Sequence, residues 1–417
     1  SVTPSWFRAA RTARFLTDMT RAELSIIKAE LSSLAVFRSV LSDGVISALL
    51  EYISSLNDEP LDLRISRYAE FVSKLYSENG GDLSAHIESV VYNSENVYVK
   101  AIGSGEKPSG VIAESVSREI EILAKTASLT PKALCEPLRW DGSLPQFESR
   151  KIALAENYDH RVKNISKYGY GKYAANRMFY IEGSEIVPVR NPDKIRISEL
   201  VDYELQRNQI IDNTKALLAG KPAANILLTG DAGTGKSSTI KAVVNELYSQ
   251  GLRIIEVRKD QLAVIPKILD DLALNPLKFI LFIDDLSFLS DDDDFNGLKA
   301  VLEGSVSARS RNVVVYATSN RRHIVKERFE DREGDEVHRN DAMQEMISLS
   351  DRFGLHISFH KPDKKTYLDI VAKLAEQFGI DMPKDELELL AERFALERGG
   401  RSARLARQFI DGILAQN

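Results

Sequence analysis

Residues 225–248 read Asn-Ile-Leu-Leu-Thr-Gly-Asp-Ala-Gly-Thr-Gly-Lys-Ser-Ser-Thr-Ile-Lys-Ala-Val-Val-Asn-Glu-Leu-Tyr. The apolar start predicts a β-strand, and residues 239–248 predict a helix. The Gly-rich stretch between them ends in Gly-Lys-Ser, the pattern of a Walker A loop in its strand-loop-helix context. Such a loop points backbone N–H groups and a helix N-terminus at phosphate oxygens. The stretch therefore predicts a nucleoside-triphosphate site on an α/β fold; the alternative is a Gly-rich turn that has no ligand.

Two side chains of this loop have specific predicted roles. Lys236 is expected to reach the β and γ phosphates, and Ser237 to place a hydroxyl on Mg²⁺. The remaining positions are expected to hold phosphates through the backbone. The candidate nucleotide-binding residues of the loop are Gly230, Asp231, Ala232, Gly233, Thr234, Gly235, Lys236, Ser237 and Ser238.

The pattern around the loop predicts a parallel sheet. Short apolar runs separated by helical stretches are typical of an α/β sheet with helices on both faces. Five such runs occur, at residues 225–229, 253–257, 279–284, 313–317 and 355–359. The sequence therefore predicts a P-loop αβα core with a five-stranded parallel sheet.

Composition changes along the chain indicate four parts. Apolar residues at three- and four-residue spacing predict amphipathic helices near the start and at the end of the chain. We predict an N-terminal helical domain, a basic and aromatic connector, the αβα core and an all-α lid, at residues 1–150, 151–195, 196–360 and 361–417.

The connector is notable for basic and aromatic residues. Between Arg161 and Ile181 it has five basic residues, no acidic ones and four tyrosines. Aromatic rings can stack on bases and basic side chains can hold phosphates, so one interpretation of this segment is a nucleic-acid contact. The alternative, which we favour, is a structural segment whose tyrosines pack on the next domain.

Bulk composition sets limits on the function. The chain has 417 residues, 43% of them hydrophobic, and a formal net charge of −6, which argues against bulk attraction to nucleic acid or anionic membranes. Its one cysteine, Cys135, cannot form an internal disulfide, which suits a reducing compartment. No run of eighteen apolar residues is present. We expect a cytoplasmic protein with no membrane partner.

Carboxylates follow the third predicted strand directly. Asp284 and Asp285 end the run Phe-Ile-Leu-Phe-Ile that begins at Phe279. Parallel strands end where such sheets bind ligands, so Asp284 is predicted to hold Mg²⁺ and Asp285 to act as the base or to position water. The alternative for Asp285 is a helix cap. Asn320, after the fourth strand, is predicted to orient the attacking water; its alternative is a turn residue.

Three arginines are candidates for contact with the triphosphate. Arg352 directly precedes the fifth strand and is predicted to reach the γ-phosphate of a neighbouring subunit; the alternative is an ordinary salt bridge. Arg401 and Arg404 open a helix of the lid, and one of them is expected to close onto the nucleotide. The acidic run at residues 291–294 is interpreted as a solvated turn and not as a metal site.

The order of the Walker A loop, the Asp284-Asp285 pair, Asn320, Arg352 and Arg404, over a sheet followed by a helical lid, resembles the AAA+ ATPases. The resemblance covers about residues 195–417. The stretches at residues 220–225, 282–288, 316–323 and 348–355 resemble a family of bacterial AAA+ ATPases of unassigned function.

This resemblance implies roles for individual residues. Asn320 takes the sensor-1 role, Arg352 the arginine-finger role and Arg404 the sensor-2 role, with Arg401 as the alternative. The segment Leu200, Val201, Asp202 and Tyr203 is implied to line the adenine pocket, although the Gly usual in such a segment is absent. Most AAA+ motors carry Asp-Glu where this chain has Asp284-Asp285, and Asp-Asp resembles the initiator branch, which uses ATP as a switch.

We therefore predict an ATPase with ATP and Mg²⁺ as ligands. No guanine-reading Asn-Lys-x-Asp motif is present, so ATP is favoured over GTP. Hydrolysis is expected to be slow and to occur at interfaces of a homo-oligomer. It is predicted to switch or remodel a macromolecular partner, either a nucleic acid or a protein; a chaperone-like remodeller and an ATP-binding scaffold without turnover are the alternatives.

Overall fold

The computed structural model describes residues 19–286, 288–289, 302, 312–320, 325–326 and 352–415. It divides the chain into two compact units, Ser1–Ala175 and Asn176–Asn417. The boundary falls inside the segment that the sequence indicates as a connector. None of the described helices is long and apolar enough to cross a membrane.

The first unit is helical where it is described. Several of its helices begin at a residue whose side chain accepts hydrogen bonds from the first-turn N–H groups, as Asp43, Asp82 and Ser109 do. The helices are α1 (Arg21–Ser32), α2 (Gly44–Asp58), α3 (Leu61–Asn79), α4 (Leu83–Tyr92), α5 (Val97–Gly103), α6 (Gly110–Ala127), α7 (Pro131–Cys135), α8 (Leu154–Lys163), α9 (Ile165–Tyr168) and α10 (Lys172–Ala175), with 3₁₀ turns at Arg38–Ser42 and Glu136–Leu138.

A buried carboxylate ties α6 to the turn after α1. Glu119 is 6% exposed, and its two oxygens accept hydrogen bonds of 2.8–3.1 Å from the backbone N–H groups of Ala35, Val36 and Phe37. A buried charge is tolerated when hydrogen bonds replace its lost hydration. Glu119 therefore fixes the path of the chain between α1 and the 3₁₀ turn.

Of the four tyrosines in the predicted connector, Tyr168, Tyr170 and Tyr173 lie in the first unit, whereas Tyr180 lies in the second and is 38% exposed. Tyr170 and Tyr173 are 9% and 8% exposed. The Arg161 guanidinium lies between two rings, 4.5 Å from the centroid of Tyr92 and 4.4 Å from that of Tyr168. These rings are engaged within the protein, which favours the structural interpretation of this part of the connector over stacking with bases.

The second unit is built on a sheet. Its strands are β1 (Met178–Glu182), β2 (Glu185–Pro188), β3 (Ile226–Gly230), β4 (Leu252–Glu256), β5 (Lys278–Ile283), β7 (Val313–Ser319) and β9 (Leu355–Phe359), in the spatial order β2-β1-β4-β5-β7-β3-β9. All neighbours are parallel except β1 and β2. A separate parallel pair joins β6 (Phe288–Leu289) to β8 (Val325–Lys326).

The prediction of a five-stranded sheet is wrong in number, because the described residues form a sheet of seven strands. The five predicted strands are present and adjacent, and β1 and β2 extend them from within residues 151–195. Gly183 and Ser184 join these two strands in a tight hairpin, with Gly183 at φ 62°. A two-residue Gly-Ser link between β-rich runs is itself a hairpin signal, and it lies in a segment interpreted as a connector.

Helices cover the sheet and form the lid. The core helices are α11 (Glu204–Leu218), α12 (Lys236–Leu247) and α13 (Ile265–Leu272), with 3₁₀ turns at Ile197–Glu199, Tyr248–Gln250 and Lys259–Val264. After β9 come α14 (Lys364–Gln377), α15 (Lys384–Glu397) and α16 (Ala403–Leu414). These three pack around their own apolar core, which includes Tyr367, Val371, Ala391 and Ile410. The described residues after β9 therefore form an all-α group with a core of its own, and its role as a lid stays a prediction.

Candidate functional site

Three neighbouring strands bring the predicted site together. In the sheet, β7 lies between β5 and β3, and all three are parallel. Gly230 ends β3, Asp284 follows β5 and Asn320 follows β7. The carboxyl ends of adjacent parallel strands meet at one edge, where ligands of such sheets bind. Segments that are distant along the chain thus form one site.

The loop after β3 has the conformation that its glycines permit. Gly230, Gly233 and Gly235 have φ of 140°, 80° and 89°, a region that residues with a side chain rarely adopt. A Cβ atom on Gly230 would lie 1.9 Å from the carbonyl oxygen of Phe359 on β9. Gly235 is the N-cap of α12. The loop therefore curls tightly before the helix begins.

Lys236 is held at the centre of the site. Its ammonium group donates to the carbonyl oxygens of Gly230 at 2.9 Å and Asp231 at 2.8 Å, and to Asn320 Oδ1 at 3.1 Å. The residue is 6% exposed. Burial lowers the pKa of Lys236, although the nearby Asp231 and Asp284 carboxylates oppose that shift. Its three contacts fix the amine beside the loop.

Two hydroxyl groups converge on Asp284. Ser237 Oγ and Thr318 Oγ1 both donate to Asp284 Oδ1 at 2.6 Å. Hydroxyl and carboxylate oxygens suit Mg²⁺, which binds proteins through a few such ligands and completes its shell with water and phosphates. Within the described residues no group of three or more His, Cys, Asp or Glu side chains could hold a metal alone. Ser237 and Asp284 thus fit Mg²⁺ that arrives with a triphosphate.

Asp285 and Asn320 form a second pair. Asn320 Nδ2 donates to Asp285 Oδ1 at 2.7 Å, while Asn320 Oδ1 accepts from Lys236. The amide therefore links the ammonium group to the carboxylate, and both of its ends have partners. Asp285 has φ 53°, in the left-handed region, where a residue with a side chain is under strain. Such strain is common at ligand sites.

These residues and the C-terminal helices line a common cavity of about 830 Å³. Arg404 lines it from the first turn of α16, and its backbone N–H donates to the carbonyl oxygen of Gly233 at 3.2 Å. Ile370 and Leu374 of α14 add an apolar wall. From the predicted site the lining includes Ala232, Gly233, Thr234, Gly235, Lys236, Ser237, Ser238, Asp284, Asp285, Asn320, Leu200, Val201, Asp202, Tyr203 and Arg404.

The part of the cavity lined by residues 200–203 has an unusual backbone. Asp202 and Tyr203 have φ of 69° and 59°, where a Gly would be the ordinary choice. Tyr203 is anchored, because its hydroxyl donates to the carbonyl oxygen of His360 and its ring centroid lies 4.9 Å from that of Phe359. Burial raises the pKa of Tyr203 to about 12. Arg207 donates to the carbonyl oxygen of Leu200 at 2.6 Å.

Four predicted residues lie outside the cavity lining. Gly230 and Asp231 contribute the carbonyl groups that hold Lys236. Arg401 pairs with Glu392 of α15, with its Nε 3.2 Å from Glu392 Oε2. Arg352 is half-buried before β9. Of the two predicted arginines Arg401 and Arg404, the structure brings Arg404 to the cavity and not Arg401. The acidic run at residues 291–294 lies outside the described residues.

Several lining residues were not predicted. Arg407 and Gln408 follow Arg404 by three and four positions on α16, and this spacing places them on one helix face. The same spacing could have indicated them from the sequence. Thr318 and Arg207 also line the cavity. Their signal is weaker, because a hydroxyl near a strand end and an arginine in a helix are common.

Gly230→Ala is expected to disrupt the fold of the second unit. The added methyl would overlap the backbone of Phe359 in a conformation that alanine avoids, and backbone atoms cannot move aside as a flexible side chain could. We expect a loss of more than about 4 kcal/mol of stability, the range of severe single substitutions. Thermal unfolding measures it. Gly412→Ala, a helical position with no atom within 4 Å of the new Cβ, is the matched control and should be neutral or stabilising. An unchanged melting temperature for Gly230→Ala would contradict this geometry.

Comparisons with known proteins place most of the chain in one family. A family model with the description "Protein of unknown function (DUF815)" matches residues 172–417, more than half of the chain. No curated protein matches. Among solved structures, the AMPPCP-bound DnaA from Aquifex aeolicus is similar with 18% sequence identity and a TM-score of 0.37, over 54% of this chain and 65% of the DnaA chain. This chain thus covers less than two thirds of the length of that structure.

Proposed function

The chain belongs to the DUF815 family, and we propose that it is an AAA+ ATPase that binds Mg-ATP and hydrolyses it slowly to switch or remodel a macromolecular partner. The observation that carries this proposal is the linked set at the sheet edge. Lys236 contacts Asn320, Asn320 contacts Asp285, and Ser237 contacts Asp284. A cation, an amide, two carboxylates and a hydroxyl around one cavity suit a bound triphosphate.

Each of these groups has a task in the proposed reaction. The loop N–H groups and the Lys236 ammonium bind phosphate oxygens, and Arg404 adds a cation from the lid. Ser237 and Asp284 would hold Mg²⁺, which would neutralise charge on the phosphates. Asp285 and Asn320 orient a water molecule toward the γ-phosphate, with Asp285 as the proton acceptor. Leu200, Val201 and Tyr203 contact the adenine ring.

The proposal includes a neighbouring subunit. Arg352 lies outside the cavity of its own chain, and we assign it to the γ-phosphate in the next copy. An arginine supplied in this way stabilises charge on the transferring phosphoryl group. The resulting ATPase is a homo-oligomer whose turnover depends on assembly.

Among partner classes, the structure of the first unit favours a protein over a nucleic acid. Stacking on bases requires accessible aromatic faces. The Tyr170 and Tyr173 rings are buried, and Tyr168 contacts the guanidinium of Arg161. We therefore propose that the helical unit contacts a polypeptide.

Phosphate release by the purified full-length chain tests the proposed function. We expect release from ATP in the presence of Mg²⁺, lower release from GTP, and a specific rate that rises with protein concentration because subunits must associate. Removal of Mg²⁺ with a chelator should stop the reaction. Absence of phosphate release at every protein concentration, with ATP still bound, would leave the scaffold alternative instead.

A further inference from the structure

Thr318 contacts both acidic residues of the site with one hydroxyl group. It is the penultimate residue of β7 and is 2% exposed. Its Oγ1 donates to Asp284 Oδ1 at 2.6 Å and accepts from the backbone N–H of Asp285 at 2.9 Å. The hydroxyl thus uses its single proton on one aspartate and a lone pair on the next.

The backbone of Thr318 holds the same turn from the other side. Its carbonyl oxygen accepts from the backbone N–H of Leu286 at 2.7 Å. Asp285, between these two contacts, is in the left-handed conformation with φ 53°. Residues with a side chain adopt that conformation when the surroundings impose it. Thr318 provides two of the contacts that impose it, and so fixes where the Asp285 carboxylate points.

The contact with Asp284 acts on the other acidic residue. Asp284 Oδ1 accepts from both Thr318 and Ser237. Because both hydroxyl groups donate to the same oxygen, they fix the rotation of the Asp284 carboxylate about its Cβ–Cγ bond. In the proposed reaction Ser237 and Asp284 would hold Mg²⁺, and the Thr318 hydroxyl would remain the donor that orients Asp284.

We propose that Thr318 is a positioning residue of the ATPase site, one that sets the orientation of Asp284 and Asp285 together. This inference rests on the proposed function. Although Thr318 lines the cavity, its hydroxyl is engaged with Asp284 and Asp285, so it acts through these two residues. Its loss should therefore reduce kcat more than the affinity for ATP.

Three substitutions at this position isolate the hydroxyl group. Thr318→Val keeps the branched shape and removes the hydroxyl, whereas Thr318→Ser keeps the hydroxyl and removes the methyl. Thr318→Ala lacks both, so it differs from Thr318→Ser by the hydroxyl alone. Thr214→Val is a matched control, because Thr214 is also fully buried in this unit and its hydroxyl contacts Ile210 and Tyr316, away from the cavity.

The expected result is a split between turnover and binding. Loss of a group that orients a metal-binding carboxylate costs about 10- to 100-fold in activity. We expect kcat to fall by that factor in Thr318→Val and Thr318→Ala, ATP affinity to change less, and Thr318→Ser to recover most of the rate. Thr214→Val should keep the wild-type kcat below its melting temperature.

The outcomes that would overturn the inference are distinct. Wild-type kcat in Thr318→Val, or equal losses in Thr318→Ser and Thr318→Ala, would show that the hydroxyl does not position the carboxylates. If Thr318→Val does not fold, the Ser and Ala pair decides the question alone. Absence of turnover in the wild-type chain would refute the proposed function, and this inference with it. If the wild-type chain turns over ATP and the kcat of Thr318→Val and Thr318→Ala is unchanged, this inference alone would be refuted.

Discussion

Arg352→Ala is expected to lower ATP turnover by about 10³- to 10⁵-fold, the contribution of an arginine that stabilises the transferring phosphoryl group. Because Arg352 lies outside the cavity of its own chain, ATP binding should be retained. Steady-state phosphate release and equilibrium ATP binding, measured on the same preparation, check both parts. Arg258→Ala is the matched control, since Arg258 is an exposed arginine of the same unit paired with Asp260 at 3.0 Å.

Mixed subunits decide whether this arginine acts between chains. Lys236→Ala removes the phosphate contact and Arg352→Ala removes the proposed finger, so each variant alone should be inactive. In a mixture, an intact nucleotide site on one chain can meet an intact Arg352 on its neighbour. We expect partial recovery of phosphate release in the mixture. No recovery in the mixture, or full activity of Arg352→Ala alone, would favour the alternative that Arg352 forms an ordinary salt bridge.

Asp285→Asn is expected to lower kcat by about 10²- to 10⁴-fold, the typical contribution of general acid-base catalysis. The amide oxygen of the new side chain can still accept the hydrogen bond from Asn320, so the geometry of the pair is retained while the proton acceptor is lost. ATP binding should therefore persist. Single-turnover phosphate release separates the chemical step from binding.

Asp270→Asn is the matched control for Asp285→Asn, because it makes the same change of charge away from the cavity. Asp270→Asn removes one negative charge from an exposed position on α13 and should leave kcat unaltered. If Asp285→Asn turns over at the wild-type rate, Asp285 is not the proton acceptor. The alternative for Asp285, a helix cap, would then be favoured.

The sheet and its ligand edge could be predicted because their signals are local. Each of the five predicted strands is a short apolar run, and parallel strands must end at a shared edge. That rule brought Lys236, Asp284, Asp285 and Asn320 into one predicted site. In the structure Asn320 contacts both Lys236 and Asp285, and Asp284 contacts Ser237 of the adjacent loop. Their catalytic roles remain predictions.

Features that depend on register and on helix packing were not accessible from the sequence. Thr318 reaches Asp284 only because β7 lies beside β5 in a particular register. The helix pattern alone allowed either Arg401 or Arg404 to reach the site, and the family resemblance favoured Arg404. In the structure Arg401 precedes the cap residue Ser402 and contacts Glu392 of another helix, while Arg404 lies in the first turn facing the loop. Which arginine reaches the cavity is decided by tertiary contacts.

The most direct test of the central claim is an equilibrium titration of Mg-ATP into the wild-type chain and Lys236→Ala. We predict one ATP bound per wild-type chain and an affinity about 10- to 100-fold weaker in the variant, because hydrogen bonds to charged groups contribute about 1.5–3 kcal/mol. Thermal unfolding confirms that both proteins are folded. Equal affinity in the two proteins, or no binding to the folded wild-type chain, would contradict a phosphate site at this loop.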